Sequence, residues 1–229
     1  MGLRSPKKIK NRKEEGMMLK KHLYPISLFV ISVVCWLVNF SALPEEVPIH
    51  WGKNGADGFE SKGVAFFTLH AIMFFIYVLM MVIPIIDPKK KNFKYFSKSF
   101  MIINYALVSL FFVINMIILL IGLGVNIPME RLAGPLVGAL FLILGNYLQQ
   151  ARANFFIGIR TPWTLSDDEV WRKTHRLGGK LFMGGGLIIM LTVLMPLNWE
   201  FYIITGVVAI VVIVPTVYSY LLFQKIVKE

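Results

Sequence analysis

Six apolar stretches of about twenty residues, separated by short charged or Gly/Pro-rich connections, leave this chain very few ways to fold. They fall at about residues 23–42, 64–86, 99–122, 132–148, 177–196 and 201–223. At about 1.5 Å per residue, each is long enough to cross a hydrocarbon core about 30 Å thick. Inside lipid every backbone polar group must be satisfied within the segment, so such runs are helices. The expected architecture is an all-α membrane protein, a bundle of six transmembrane helices. Composition agrees: 16% of residues are charged and mean hydropathy is +0.66, against roughly a quarter charged in soluble domains. The single cysteine, Cys35, lies inside the first run. It excludes an intramolecular disulfide, and a cysteine zinc site needs more thiolates.

The basic residues give the chain its sides. Of 24 Lys and Arg, 21 fall in the N-terminal tail, the second and fourth connections and the C-terminus. The first, third and fifth connections hold the other 3, namely Lys53, Lys62 and Arg131. Positive connections are retained in the cytoplasm, so both termini and the fourth connection are expected inside. The net charge of +11 is thereby explained without a nucleic-acid partner. Residues 1–22 read as a disordered basic cytoplasmic tail close to anionic lipid. Within it, Lys13-Glu14-Glu15-Gly16 requires purine-rich codons directly before Met17 and Met18, which is how a translated ribosome-binding site would look. Native translation is therefore expected to start at Met17 or Met18. Removing residues 1–16 leaves the charge asymmetry in place. The first run exceeds a signal peptide's apolar core of 7–15 residues, and it is read as a retained helix with Pro25 in its first turn.

Four parts follow: the tail 1–22, a first hairpin of spans 23–86, a linker with span three over 87–131, and a C-terminal region 132–229. The connection Leu43–Gly63 is turn-rich and non-helical, with two prolines and four glycines. Pro48, His50, Trp51 and Asp57 are its recognition candidates. A metal site there is disfavoured, because ligands at fixed helical spacing are missing. His70, Asn104 and Asn115 read as hydrogen-bonded interior groups of spans two and three. Gly134 and Gly138 are four apart, which permits close helix approach. Gly184-Gly185-Gly186 marks either a tight crossing or a flexible point.

The longest polar interruption, Gly145 to Lys180, holds most of the chemistry. Pro162 keeps its predecessor off the helical path and so defines the place of Arg160. Ser166 and Glu169 match a capping box. A helix over 167–177, with Val170, Trp171 and Thr174 along one stripe and Arg172, Lys173 and Arg176 toward water or lipid phosphate, is expected to lie in the interface. Candidate functional residues are Asn146, Asn154, Gly158, Arg160, Thr161, Pro162, Trp163, Trp171, His175 and Arg176. Anchoring at membrane lipid is the simpler reading of the tryptophans and arginines taken one at a time. It explains less well why one loop gathers so many of these residues.

Gly145-Asn146, Asn154, GIRTPWTL over 158–165, Trp171 and His175-Arg176 resemble the C-terminal region of the SdpI family. The first hairpin, with LPEEVPIHW and the glycines after it, resembles the small uncharacterised domain that commonly precedes it. The resemblance implies a bacterial membrane immunity protein that protects against a secreted, membrane-active toxin peptide. It also implies a signal transducer that captures a cytoplasmic repressor, and it implies no catalytic residue and no cofactor. The alternative is a secondary transporter or exporter of a small or peptide substrate. With Lys180 counted to the loop, however, the spans carry no Asp, Glu, Lys or Arg, which ion-coupled carriers usually need. An enzyme is not expected, since no HExxH motif and no nucleophile beside a base is present.

Overall fold

The computed structural model describes residues 6–52 and 55–228. Its elements are α1 (Pro6–Asn39), β1 (Glu46–Gly52), β2 (Gly55–Ser61), α2 (Lys62–Ile86), α3 (Phe93–Gly122), α4 (Met129–Leu148), α5 (Pro162–Ser166), α6 (Asp168–Met190) and α7 (Leu197–Lys228). Short 3-10 turns at Lys90–Asn92 and Leu191–Leu194 extend α3 and α6. Six helical segments of 19 to 33 residues are long and apolar enough to cross a membrane. The chain is a multi-pass membrane protein. Its outward side chains suit lipid, with Val38, Phe67 and Phe201 all more than two-thirds exposed.

Several expectations need correction. The first connection is non-helical, as expected, but it is paired: β1 and β2 run antiparallel, from Glu46 opposite Ser61 to Gly52 opposite Gly55, with an irregularity at His50. The mostly helical bundle thus carries a two-stranded hairpin. Pro25 lies well inside α1, not in its first turn, because the helix extends back to Pro6. Residues 6–22, expected to be disordered, are helical. The tail is rich in Lys, Arg, Glu, Leu and Met, which favour helix, and elongating an existing helix is cheap compared with nucleating one. This geometry does not bear on the expected start at Met17 or Met18, and residues 1–5 lie outside the described residues.

At one end of the bundle, the hairpin sits on α1, α2 and α3. Val47 and Leu43 are buried among Trp36, Ala65, Ile118 and Leu119. Lys62 reaches back to accept no proton but to donate, bonding Leu43 O and Glu45 Oε1, each at 3.2 Å. Below them His70 is an interior group, as expected. Its Nδ1 donates to Phe66 O at 2.7 Å, so Nε2 accepts from the buried Ser32 hydroxyl at 2.9 Å. At the opposite end, Met80, Ile83, Phe93, Phe96 and Phe100 enclose Ala151, Ala153 and Trp171.

The helices α4 and α6 meet backbone to backbone. A Cβ built on Gly138 would lie 2.6 Å from Gly186 O, and one on Gly145 2.6 Å from Gly179 O. The two contacts are seven residues apart on each helix and run in opposite directions, which defines an antiparallel seam of glycines. The triple glycine is therefore a crossing and not a flexible point. Gly186 faces α4, Gly185 faces Val207 of α7, and Gly184 meets nothing within 4 Å.

Candidate functional site

The connection between α4 and α6 covers only residues 149–167, and it folds back onto the bundle end. Its centre is Asn154, which is fully buried. The amide Nδ2 donates to Arg152 O at 2.9 Å and Ile157 O at 3.0 Å, while Oδ1 accepts from the N–H groups of Phe156 and Ile157 at 2.9 and 2.7 Å. One side chain thus supplies the hydrogen bonds that a non-helical backbone lacks when it leaves water.

His175 holds the next stretch. The N–H of Ile159 donates to its Nε2 at 3.0 Å, so Nδ1 carries the proton and donates to Trp171 O at 2.8 Å. This fixes a neutral ring in one tautomer. Trp171 stacks on it, with centroids 4.0 Å apart, and donates through Nε1 to Ala151 O at 2.8 Å. Gly158 has φ +117°, and a Cβ there would lie 2.3 Å from His175 Nε2. Both the left-handed backbone and the contact demand glycine at this position.

Thr161 and Thr164 then form a reciprocal cap: each backbone N–H donates to the other's hydroxyl oxygen, at 2.9 and 3.1 Å. Pro162 occupies the first turn of α5. The Thr161 hydroxyl meets Ser219 Oγ of α7 at 3.0 Å, and Trp163 packs on Tyr220 with centroids 5.0 Å apart. The loop is fastened to α7 by these two contacts. Arg160 is exposed and donates through Nη1 to Phe155 O.

The cap of α6 is Asp167, one residue later than the expected Ser166. Its carboxylate accepts from the N–H groups of Glu169 and Val170, both at 2.8 Å, whereas the Ser166 hydroxyl donates back to Pro162 O at 2.7 Å. Nor is there a separate interfacial helix over 167–177. Residues 168–190 form one continuous helix, because the carboxylate cap starts it and no proline interrupts it. Trp171 is 2% exposed, so it is a core residue and not a surface anchor. Lys180, counted to the loop above, lies about three turns inside α6.

The candidates do not all converge. Asn154, Gly158, Thr161, Pro162, Trp163, Trp171 and His175 form one packed unit. Asn146 and Arg176 are exposed on α4 and α6, away from its centre. Sequence reasoning missed Asp87 and Asn92. The buried Asp87 carboxylate accepts from Lys89 N at 2.6 Å and Phe155 N at 2.8 Å, and Asn92 Nδ2 donates to Ala153 O at 2.7 Å. Together they latch the α2–α3 turn to the loop. The available signal was a lone acidic residue before Pro88 in a connection otherwise full of lysine.

At the other end, Pro48 is buried, while His50 and Asp57 are exposed and paired through Nδ1 and Oδ1. Trp51 is half-buried against the cluster beneath the hairpin.

Comparison with known proteins agrees with the motif resemblance at both ends of the chain. Residues 150–219 match the SdpI/YfhL protein family, and residues 27–74 match a domain of unknown function, DUF1648. The first match covers the whole loop beyond Gln149, α6 and most of α7. Immunity protein SdpI of Bacillus subtilis (strain 168) is 29% identical over 208 residues, which is 91% of this chain and 98% of that protein. No solved structure matches the chain.

Proposed function

We propose that this chain, aligned nearly end to end with an immunity protein, is itself a membrane immunity protein that gives its cell resistance to a secreted, membrane-active toxin peptide. The observation that carries the reading is that alignment over 98% of the relative's length, which takes in both the hairpin and the loop. The exposed face of the hairpin, with His50, Asp57 and the half-exposed Phe59, is suited to contact a peptide arriving from outside. The folded loop at the other end is suited to present a defined surface to a cytoplasmic repressor. Expression in a sensitive bacterium should raise tolerance to the cognate peptide several-fold. Unchanged tolerance to every peptide of that class, with the protein demonstrably in the membrane, would favour transport instead.

This reading places the chain in the bacterial cytoplasmic membrane with the hairpin outside and both termini inside, as the distribution of Lys and Arg requires. In a Cys35→Ser background, a cysteine at Ala56 should react with an impermeant thiol reagent in intact cells. Cysteines at Lys91 or Asp168 should react only after lysis. Labelling of Asp168→Cys in intact cells would invert the assignment. Ala56 is preferred to Gly55, whose φ of +102° a cysteine would strain.

A further inference from the structure

A cavity of about 820 Å³ opens beside the folded loop, walled by Arg152, Arg172, Arg176, Gln149, Tyr95 and Asp168 over a floor that includes Trp171. The three arginines are exposed, and none has a carboxylate within ion-pair distance among the described residues. Glu169 also lines the cavity, but its charge is taken by Lys173 at 2.7 Å. Arg152 is propped on the Tyr95 ring, 6.0 Å from its centroid. The wall therefore carries three free guanidinium groups and one free carboxylate. Arg172, Arg176 and Lys180 follow one another at intervals of four on α6. Like charges so spaced repel along a helix. Arg176 also lines a second groove, of about 290 Å³, with Lys173, Leu177, Lys180 and Tyr218. That groove follows α6 away from its start, into the apolar part of the span.

We propose that the cavity is a saturable binding site for an anionic phospholipid, with the phosphate held by Arg152, Arg172 and Arg176. Guanidinium forks match phosphate oxygens in pairs, and basic pockets at the ends of membrane helices suit such head groups. The carboxylate of Asp168 and the amide of Gln149 accept hydrogen bonds from head-group hydroxyls, which favours a glycerol head over a choline head. The cation ladder down to Lys180 is what distinguishes a lipid from a soluble phosphate. A free anion satisfies the cavity alone, whereas a lipid places negative charge at the membrane boundary where the ladder descends. This site does not depend on the immunity reading.

The test uses the full chain purified in detergent, with bound lipid counted by native mass spectrometry and thermal unfolding followed as lipid is added. Phosphatidylglycerol should saturate at a small whole number of lipids and raise the unfolding temperature, and phosphatidylcholine should do neither. Changing Arg152, Arg172 and Arg176 together to Gln should weaken phosphatidylglycerol binding roughly a hundredfold, at about fivefold per charge. The lipid-free protein should unfold as before, since all three side chains are exposed. Changing Lys89, Lys90 and Lys91 together to Gln removes the same charge from the same end and should leave binding intact. Equal losses in the two triple variants would overturn the site, as would equal binding of both lipids. Displacement of the lipid by millimolar inorganic phosphate would overturn the assignment to a lipid.

Discussion

Leucine at Gly138 should strip the protein from the membrane fraction or lower its unfolding free energy by about 3 kcal/mol, near the upper end of usual overpacking costs. The obstacle is backbone: Gly186 O lies 2.6 Å and Met190 N 2.8 Å from where the new Cβ must go. A flexible side chain could turn aside, but a helix cannot, so α4 and α6 would have to part along the seam. Gly145 faces Gly179 O in the same way, and Gly145→Leu should behave alike. The control is Gly184→Ala, where nothing stands within 4 Å. There alanine should be neutral or gain about 1 kcal/mol of helix propensity. Unfolding in detergent, followed by tryptophan fluorescence, reads both. Gly138→Leu behaving like Gly184→Ala would show that the helices do not touch as described.

Gly158→Ala is expected to undo the loop while leaving the bundle assembled. Alanine in the left-handed region costs about 1–2 kcal/mol, and the new Cβ would meet His175 Nε2 at 2.3 Å. The ring cannot retreat, since both of its nitrogens are bonded and Trp171 covers its face. The bond from Ile159 N–H must break, and leaving this part-buried N–H without a partner costs about 1 kcal/mol more. Limited proteolysis should then cut between Phe155 and Thr161, and protection against toxin should fall with it. Gly55→Ala shares the positive φ but meets nothing within 4 Å, so it should cost only the backbone strain. Equal protease resistance in Gly158→Ala and the parent chain would refute the role given to His175.

The spans were legible because a bilayer imposes a length and a composition that few other structures share. Tryptophan and histidine at i and i+4 also left a local mark. Trp171 with His175 repeats Phe66 with His70, and in both pairs Nδ1 bonds the carbonyl of the aromatic residue. What the sequence could not show is the return of the chain. Nothing local says that the Ile159 N–H will meet a ring 16 residues later, or that Asp87 will reach Phe155 across 68 residues. The hairpin was hidden by its own composition, since Pro48 and the glycines weaken every strand signal and the buried Val47 and Pro48 are adjacent, which breaks the alternation of a half-buried strand. The charges at 172–180 suggested a helix of its own at the interface, whereas they lie on a helix that continues unbroken from Asp168 to Met190. Asn146 lies on the right helix but on the wrong face, which spacing alone did not resolve.

The glycine seam also sets which parts of the bundle are free to move. Two helices whose carbonyl oxygens already press on each other's glycines have no slack, so neither can slide or turn against the other without backbone collision. The pair α4–α6 behaves as a single strut. The looser joint is with α3. Between α3 and α4 an apolar cavity of about 300 Å³, lined by Ile102, Tyr105, Leu136 and Leu140, leaves room for a hinge.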